Sequence, residues 1–220
     1  MKTAAEDFRI FCDDAYTVHF LGDGPAEQLN LVRACIEAGN PDRTIMFTSK
    51  ITFPGAGISA MASSVENIKY FNDLISYQTI GSDKMNQLRH VKFLHDYAGV
   101  IAHMRKHAAL VAPKFQVCQE VLCAELADAD ILRWTKPEGG YFISIDTMKG
   151  CASRVVALAK ECGVAVTPAG STYPYRKDPD DCNIRLAPTF PPIDQLREAM
   201  KVLCVCIKLA TLEKLISEKD

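Results

Sequence analysis

Two short, mainly apolar runs limit what this chain can fold into. Phe8 to Cys12 stops on the acidic pair Asp13-Asp14, and Thr44 to Thr48 stops on Ser49-Lys50. Between them, Ala26 to Ala38 sets Leu29, Val32, Cys35 and Ile36 at helical spacing, closed by Gly39-Asn40-Pro41. Strand, helix and strand in that order give an α/β fold class. Ligands of open α/β sheets gather beyond the carboxyl ends of the strands, so Asp13 and Lys50 are expected to point into one crevice.

The pattern continues with a helix over Ser63 to Ser76, Ser64 being its candidate cap. A long helical stretch is expected from Asp83 to Ala124, interrupted near Pro113. After Ala129 the elements shorten. Ile131 to Trp134 and Tyr141 to Ile145 read as a hairpin around Pro137-Glu138-Gly139-Gly140, and Ala152 to Cys162 as a helix stopped by Gly163. Val164 to Val166 and Asn183 to Leu186 read as further strands. Ile193 to about Glu218 reads as an amphipathic helix with Leu196, Met200, Leu203, Ile207 and Ala210 on its stripe. The expected parts are residues 1–80, connecting helices over 81–128, and a C-terminal domain over 129–220.

The formal net charge of −2 over 220 residues gives no electrostatic case for nucleic acid or an anionic membrane surface. Nine cysteines include no CxxC pair, and no signal peptide or bilayer-length apolar run stands out. The thiols are therefore expected to be reduced and mostly buried, and the protein cytoplasmic. His103 and His107 have i,i+4 spacing, but no third ligand accompanies them in sequence, so no metal is expected.

Lys50, Asp13 and Tyr16 together supply the chemistry that holds pyridoxal 5′-phosphate. A lysine amine condenses with its aldehyde, a carboxylate keeps its pyridine nitrogen protonated, and a phenol can bond its ring oxygen. Each residue alone is ordinary. A fourth signal is Arg185 in the apolar run Cys182 to Pro188: a guanidinium there needs either a structural ion pair or a carboxylate to grip.

The motifs Asp13 to Tyr16, Ser49-Lys50, Pro137 to Phe142 and Ile184-Arg185-Leu186, in that order, resemble the fold-type I pyridoxal-phosphate-dependent aminotransferases. The segments Tyr16 to Phe20, Thr48 to Thr52 and Gln87 to His90 are similar to a bacterial aspartate-aminotransferase-like subgroup. The similarity runs over essentially the whole chain, but to the C-terminal half of such an enzyme. It implies a partial large-domain sheet plus a complete small α+β domain, the first forming part of the cofactor-binding domain. It implies that Lys50 binds the cofactor and carries protons, Asp13 pairs with the pyridine nitrogen, Tyr16 bonds the ring oxygen, and Arg185 grips the substrate α-carboxylate.

The family's phosphate-binding Ser before the lysine and Arg after it correspond here to Phe47 and to Gly57 or Ile58. Ser49 and Thr48 are then the nearest preceding hydroxyls, with backbone N–H groups near Gly55 and Gly57 as helpers. The expected partners are an amino acid and a 2-oxo acid, with a homodimer or a missing N-terminal half completing the site. A side-chain carboxylate, if the substrate is aspartate, could fall to Arg176, Lys177 or a partner residue. Other pyridoxal-phosphate chemistry, such as a β-lyase, would use the same residues. An inactive fragment and an aminotransferase-like effector-binding domain are the alternatives from other classes. Exposed sheet edges are expected over residues 1–80, with 130–220 folding by itself.

Overall fold

Strand β1 (Ile10–Asp13) lies parallel to β2 (Thr44–Ser49), in register from Ile10 opposite Thr44 to Asp13 opposite Phe47. The computed structural model describes residues 4–25 and 27–219. Helix α1 (Leu31–Glu37) makes the crossover and is shorter than its periodicity suggests. The Asn30 side chain accepts from Arg33 N at 2.9 Å and sets its start there, leaving Leu29 outside and exposed. Its buried Cys35 places Sγ 2.8 Å from Thr44 Oγ1, docking α1 on one face of β2.

A strand that sequence reasoning missed, β3 (Ser59–Ala62), pairs antiparallel with β2, giving the sheet order β1-β2-β3. Ser-Ala-Met-Ala has little strand propensity of its own, and the β2 ladder recruits it. Helix α2 (Val65–Gln78) starts at Ser64, whose hydroxyl accepts from Asn67 N, and α3 (Lys84–Leu94) starts at Asp83, whose carboxylate accepts from Asn86 N.

The expected interruption at Pro113 is not where the helical stretch breaks. Pro113 sits inside α4 (Tyr97–Leu126), and the break falls at His95 and Asp96. His95 adopts a left-handed conformation (φ 62°), and Asp96 Oδ1 accepts from Gly99 N at 2.9 Å to restart the helix. A Cβ at Gly99 would lie 1.7 Å from the Leu94 carbonyl oxygen, so only glycine permits this turn.

Two compact units divide the chain, Met1–Ala108 and Ala109–Asp220. In the second, β4 (Leu132–Trp134), β5 (Ile143–Thr147) and β6 (Asn183–Leu186) form an antiparallel sheet in that order, the first pair being the expected hairpin. One sheet face buries Leu132, Ile143, Ile145, Ile184 and Leu186. Helix α5 (Ala152–Glu161) and helix α6 (Ile193–Ser217) bury their own stripes, and the five α6 residues expected on the apolar side are all buried. Val164 to Val166 is not a strand. Gly163 turns left-handed (φ 80°) and Val164 N donates to Ala159 O at 2.8 Å, so this segment finishes α5 and has no ladder partner among the described residues.

The two units differ in how well they close. In the first, α2 and α3 bury no residue, and Phe11, Tyr70, Ile80 and Val91 are exposed. All nine cysteines are free, five of them buried. Burial pushes the Cys118 thiol up to about 12 and the Cys204 thiol to about 11, well outside the reactive range. No described helix is long and apolar enough to cross a membrane.

Candidate active site

The parallel pairing of β1 and β2 brings their carboxyl ends to one edge. Asp13 ends β1, exposed, with Oδ1 accepting from Ala15 N at 3.2 Å. Asp14 N donates to Phe47 O at 2.7 Å, which carries the turn across the end of β2. That turn presents Tyr16, half-buried. Lys50 follows β2 directly, with φ at 59°. Its Nζ lies 4.5 Å from the Tyr16 ring centroid and donates to Ser49 Oγ at 3.2 Å. Lys50 therefore touches both Tyr16 and Ser49, and Asp13 stands at the end of the adjoining strand.

Phe47 stacks on Phe11, ring centroids 6.2 Å apart and planes 3° from parallel. The position where the resembled family carries a phosphate-binding serine is thus filled here by sheet-face packing. Thr48 lies opposite Ala60 in the β2–β3 ladder, half-buried, and Gly55 and Gly57 both turn left-handed. Asn86 Nδ2 donates to the carbonyls of Ala56 and Gly57, both at 3.0 Å, tying that loop to α3.

Sequence reasoning missed the histidines around this loop. His19 is buried, and its Nε2 donates to Lys50 O at 2.9 Å. His103 and His107, at the i,i+4 spacing noted in the sequence, both place Nε2 2.7 Å from Thr52 O. His90 donates from Nδ1 to Asn86 O, which leaves Nε2 to accept from the Thr52 hydroxyl at 2.9 Å. Among the described residues, no group of three or more potential ligands is placed to hold a metal ion.

Burial, before any neighbouring charge, lowers the proton affinity of His19 and of His107 below the free imidazole value of 6.5. Burial first, then the Asp13 charge, raises that of Asp14. A depressed histidine contributes stability that is present above the unfolded value and lost as pH falls through it toward the folded value. Ala109–Asp220 contains no histidine. Its downshifted carboxylates Glu120, Glu125 and Glu213, held by Arg197, Lys208 and Arg154, lose their contribution only below 4.5, and Asp178, held by backbone N–H groups of Asn183, Cys182 and Asp180, only below 3.8. Between about pH 7.5 and about pH 5.5, hydrogen-exchange protection is therefore expected to fall in residues 4–108 and to hold in 109–219. An equal loss in both would show that His19 and His107 do not set the acid response.

In the second unit, Arg185 lies on β6 opposite Ser144, half-buried, its guanidinium carbon 4.4 Å from the Phe142 ring centroid. Its Nε is buried without a hydrogen-bond partner among the described residues. Asp146, the carboxylate on the same sheet face, instead accepts from Asn183 Nδ2 at 2.6 Å. Arg185 forms no ion pair among the described residues, so the structural ion pair weighed from sequence is not seen.

The family model for aspartate aminotransferase matches residues 1–219. The chain belongs to the aspartate aminotransferase family. It is 48% identical over 215 residues to an aspartate aminotransferase of Corynebacterium glutamicum, covering 97% of this chain and 50% of that protein. The crystal structure of an aspartate transaminase from the same species superposes with a TM-score of 0.93 at 48% identity, over 97% of this chain and 51% of that one. An α-aminoadipate aminotransferase of Thermus thermophilus, solved with N-(5′-phosphopyridoxyl)-L-leucine, shares the fold at a TM-score of 0.76 and 21% identity, over 93% of this chain and 51% of its own. The chain thus spans about half the length of the relatives it matches.

Proposed function

We propose that this chain carries the lysine-bearing part of a pyridoxal 5′-phosphate-dependent transaminase site. Such a site moves an amino group between an amino acid, with aspartate the first candidate, and a 2-oxo acid. The observation that carries the reading is Lys50 at the end of β2, its ammonium against Tyr16 and Ser49, beside a parallel strand that ends on Asp13. When bound, pyridoxal phosphate supplies an aldehyde and an electron-withdrawing pyridine ring.

The residues fit the aldehyde, pyridine and ring-oxygen side of that group. Lys50 Nζ is the amine that attaches it and that carries a proton to and from the substrate Cα. Asp13 keeps a proton on the pyridine nitrogen, and the Tyr16 hydroxyl donates to the ring oxygen. For the phosphate, the Ser49 and Thr48 hydroxyls and the N–H groups near Gly55 and Gly57 are the available donors, Phe47 having none. Arg185 receives the α-carboxylate as a bidentate fork, which its unpartnered Nε supports. The substrates, and a second copy or a further segment completing the site, belong to this proposal.

The test is titration of the purified chain with pyridoxal phosphate, borohydride reduction and peptide mass mapping, with Lys50→Ala as control. Label concentrated on Lys50 and lost in Lys50→Ala is the expected result. Label spread over surface lysines, unchanged in Lys50→Ala, would overturn the reading. Aspartate–2-oxoglutarate turnover is the assay that follows a positive result.

A further inference from the structure

The fixed backbone around Lys50 points to a role for a residue that touches neither substrate nor cofactor in the reading above. Lys50 is a non-glycine residue at φ 59°, a conformation that L side chains avoid and that persists only where the surroundings over-determine it. The carbonyl leaving Lys50 accepts from buried His19 Nε2 at 2.9 Å. Two residues on, the Thr52 carbonyl receives both His103 and His107 Nε2 at 2.7 Å. A carbonyl only accepts, so in their neutral forms all three rings are the Nε2–H tautomer. The 3.1 Å between the His103 and His107 nitrogens follows from two donors meeting at one oxygen with two lone pairs. The His19 ring also stands edge-on to His107, centroids 5.7 Å apart.

We propose that His19 is a positioning residue for Lys50: its bond to the Lys50 carbonyl holds that residue left-handed, which keeps the amine over Tyr16 where the cofactor aldehyde would meet it. The second half of this statement rests on the proposed function; the first does not. The segment 50–52 is thereby anchored at both ends, by His19 at one carbonyl and by the His103–His107 pair at the other. Burial opposes protonation of His19, the bond to the Lys50 carbonyl partly offsets it, and the titratable neighbours His107, Lys50 and His103 that face the ring oppose it further. Near neutral pH the ring therefore holds the carbonyl as an uncharged donor.

The test uses the full chain with labelled histidine and lysine, as wild type, His19→Leu and His19→Gln. Leucine keeps volume without a donor, and a glutamine amide can place a donor near the lost Nε2. Wild type is expected to show His19 as the Nε2–H tautomer by nitrogen shifts, and Lys50 left-handed by its φ-sensitive couplings. His19→Leu should move Lys50 to negative φ and cut borohydride trapping of pyridoxal phosphate on Lys50 at least about tenfold, with other lysines unchanged. His19→Gln should restore both. An Nδ1–H tautomer in wild type, or a left-handed Lys50 in folded His19→Leu, would overturn the proposal. If His19→Leu does not fold, the wild-type tautomer and the couplings of His19→Gln decide the matter. If wild type traps nothing on Lys50, the functional reading fails, while the tautomer and couplings still judge the positioning claim.

Discussion

Arg185→Leu is expected to weaken capture of an amino acid by the cofactor-loaded chain about 100-fold and to leave Ala109–Asp220 at least as stable. In the proposed site the first effect comes from losing a bidentate, charge-assisted pair, worth about 3 kcal/mol at the upper end of hydrogen bonds to charged groups. The second comes from the unpartnered Nε. A buried donor without an acceptor costs about 1–3 kcal/mol, and leucine removes that cost while filling most of the space. Against it stands the loss of the guanidinium–Phe142 contact, about 0.5–1 kcal/mol. Arg185→Lys should fall between, because it keeps the charge and loses the fork. Calorimetric titration with aspartate and thermal unfolding measure the two effects separately. A variant that binds as well as wild type would remove Arg185 from the site, and one that unfolds would show a structural partner for the guanidinium.

Much of this architecture is legible in the sequence because local signals and tertiary demands agree. Ser64 and Asp83 cap the helices they precede, Gly163 ends α5, and the α6 stripe is buried where its period puts it. The errors arise where the partner lies far away. Ser59–Ala62 becomes a strand only because β2 offers a ladder, and Val164 to Val166 fails to become one because none is offered. Pro113 drew the expected helix break, yet Asp96 and Gly99 make it, a cap and a close approach that a propensity argument passes over.

The proposed site divides in the same way. Asp13, Tyr16, Ser49 and Lys50 are legible because each sits at or just past a strand end, and parallel pairing then brings those ends together. Arg185 is legible as a charge in an apolar run. His19 is not: its partner Lys50 is 31 residues away, and in sequence it is one polar residue between Val18 and Phe20. The available signal was indirect, namely that all five histidines precede Ala108 and that His103 and His107 share one helix face. Phe47 stands where the resemblance implies a serine, and its stack on Phe11 shows what occupies that position instead.

Ile145→Ala should destabilise Ala109–Asp220 by about 3–4 kcal/mol, within the usual range for truncating a large buried aliphatic side chain. Ile145 is fully buried in the central strand, its ladder neighbours Trp134 and Ile184 fixed by pairing on both sides, so the cavity cannot collapse. For a domain of this size that is a third or more of a total stability of about 10 kcal/mol, and Tm should fall by roughly 15 °C. Phe11→Ala offers the contrast. Its side chain is 65% exposed on β1, at the edge of the described sheet, so the loss should stay under about 1 kcal/mol and self-association should decrease. Differential scanning calorimetry and sedimentation, run on both variants, separate a closed core from an open one. A small Tm change in Ile145→Ala, or a large one in Phe11→Ala, would mean that burial in the two units is not distributed as described. The predicted difference has a direct physical origin: in Ala109–Asp220 one sheet face and the α5 and α6 stripes are buried and held against packed neighbours, whereas α2 and α3 bury none of their residues within Met1–Ala108.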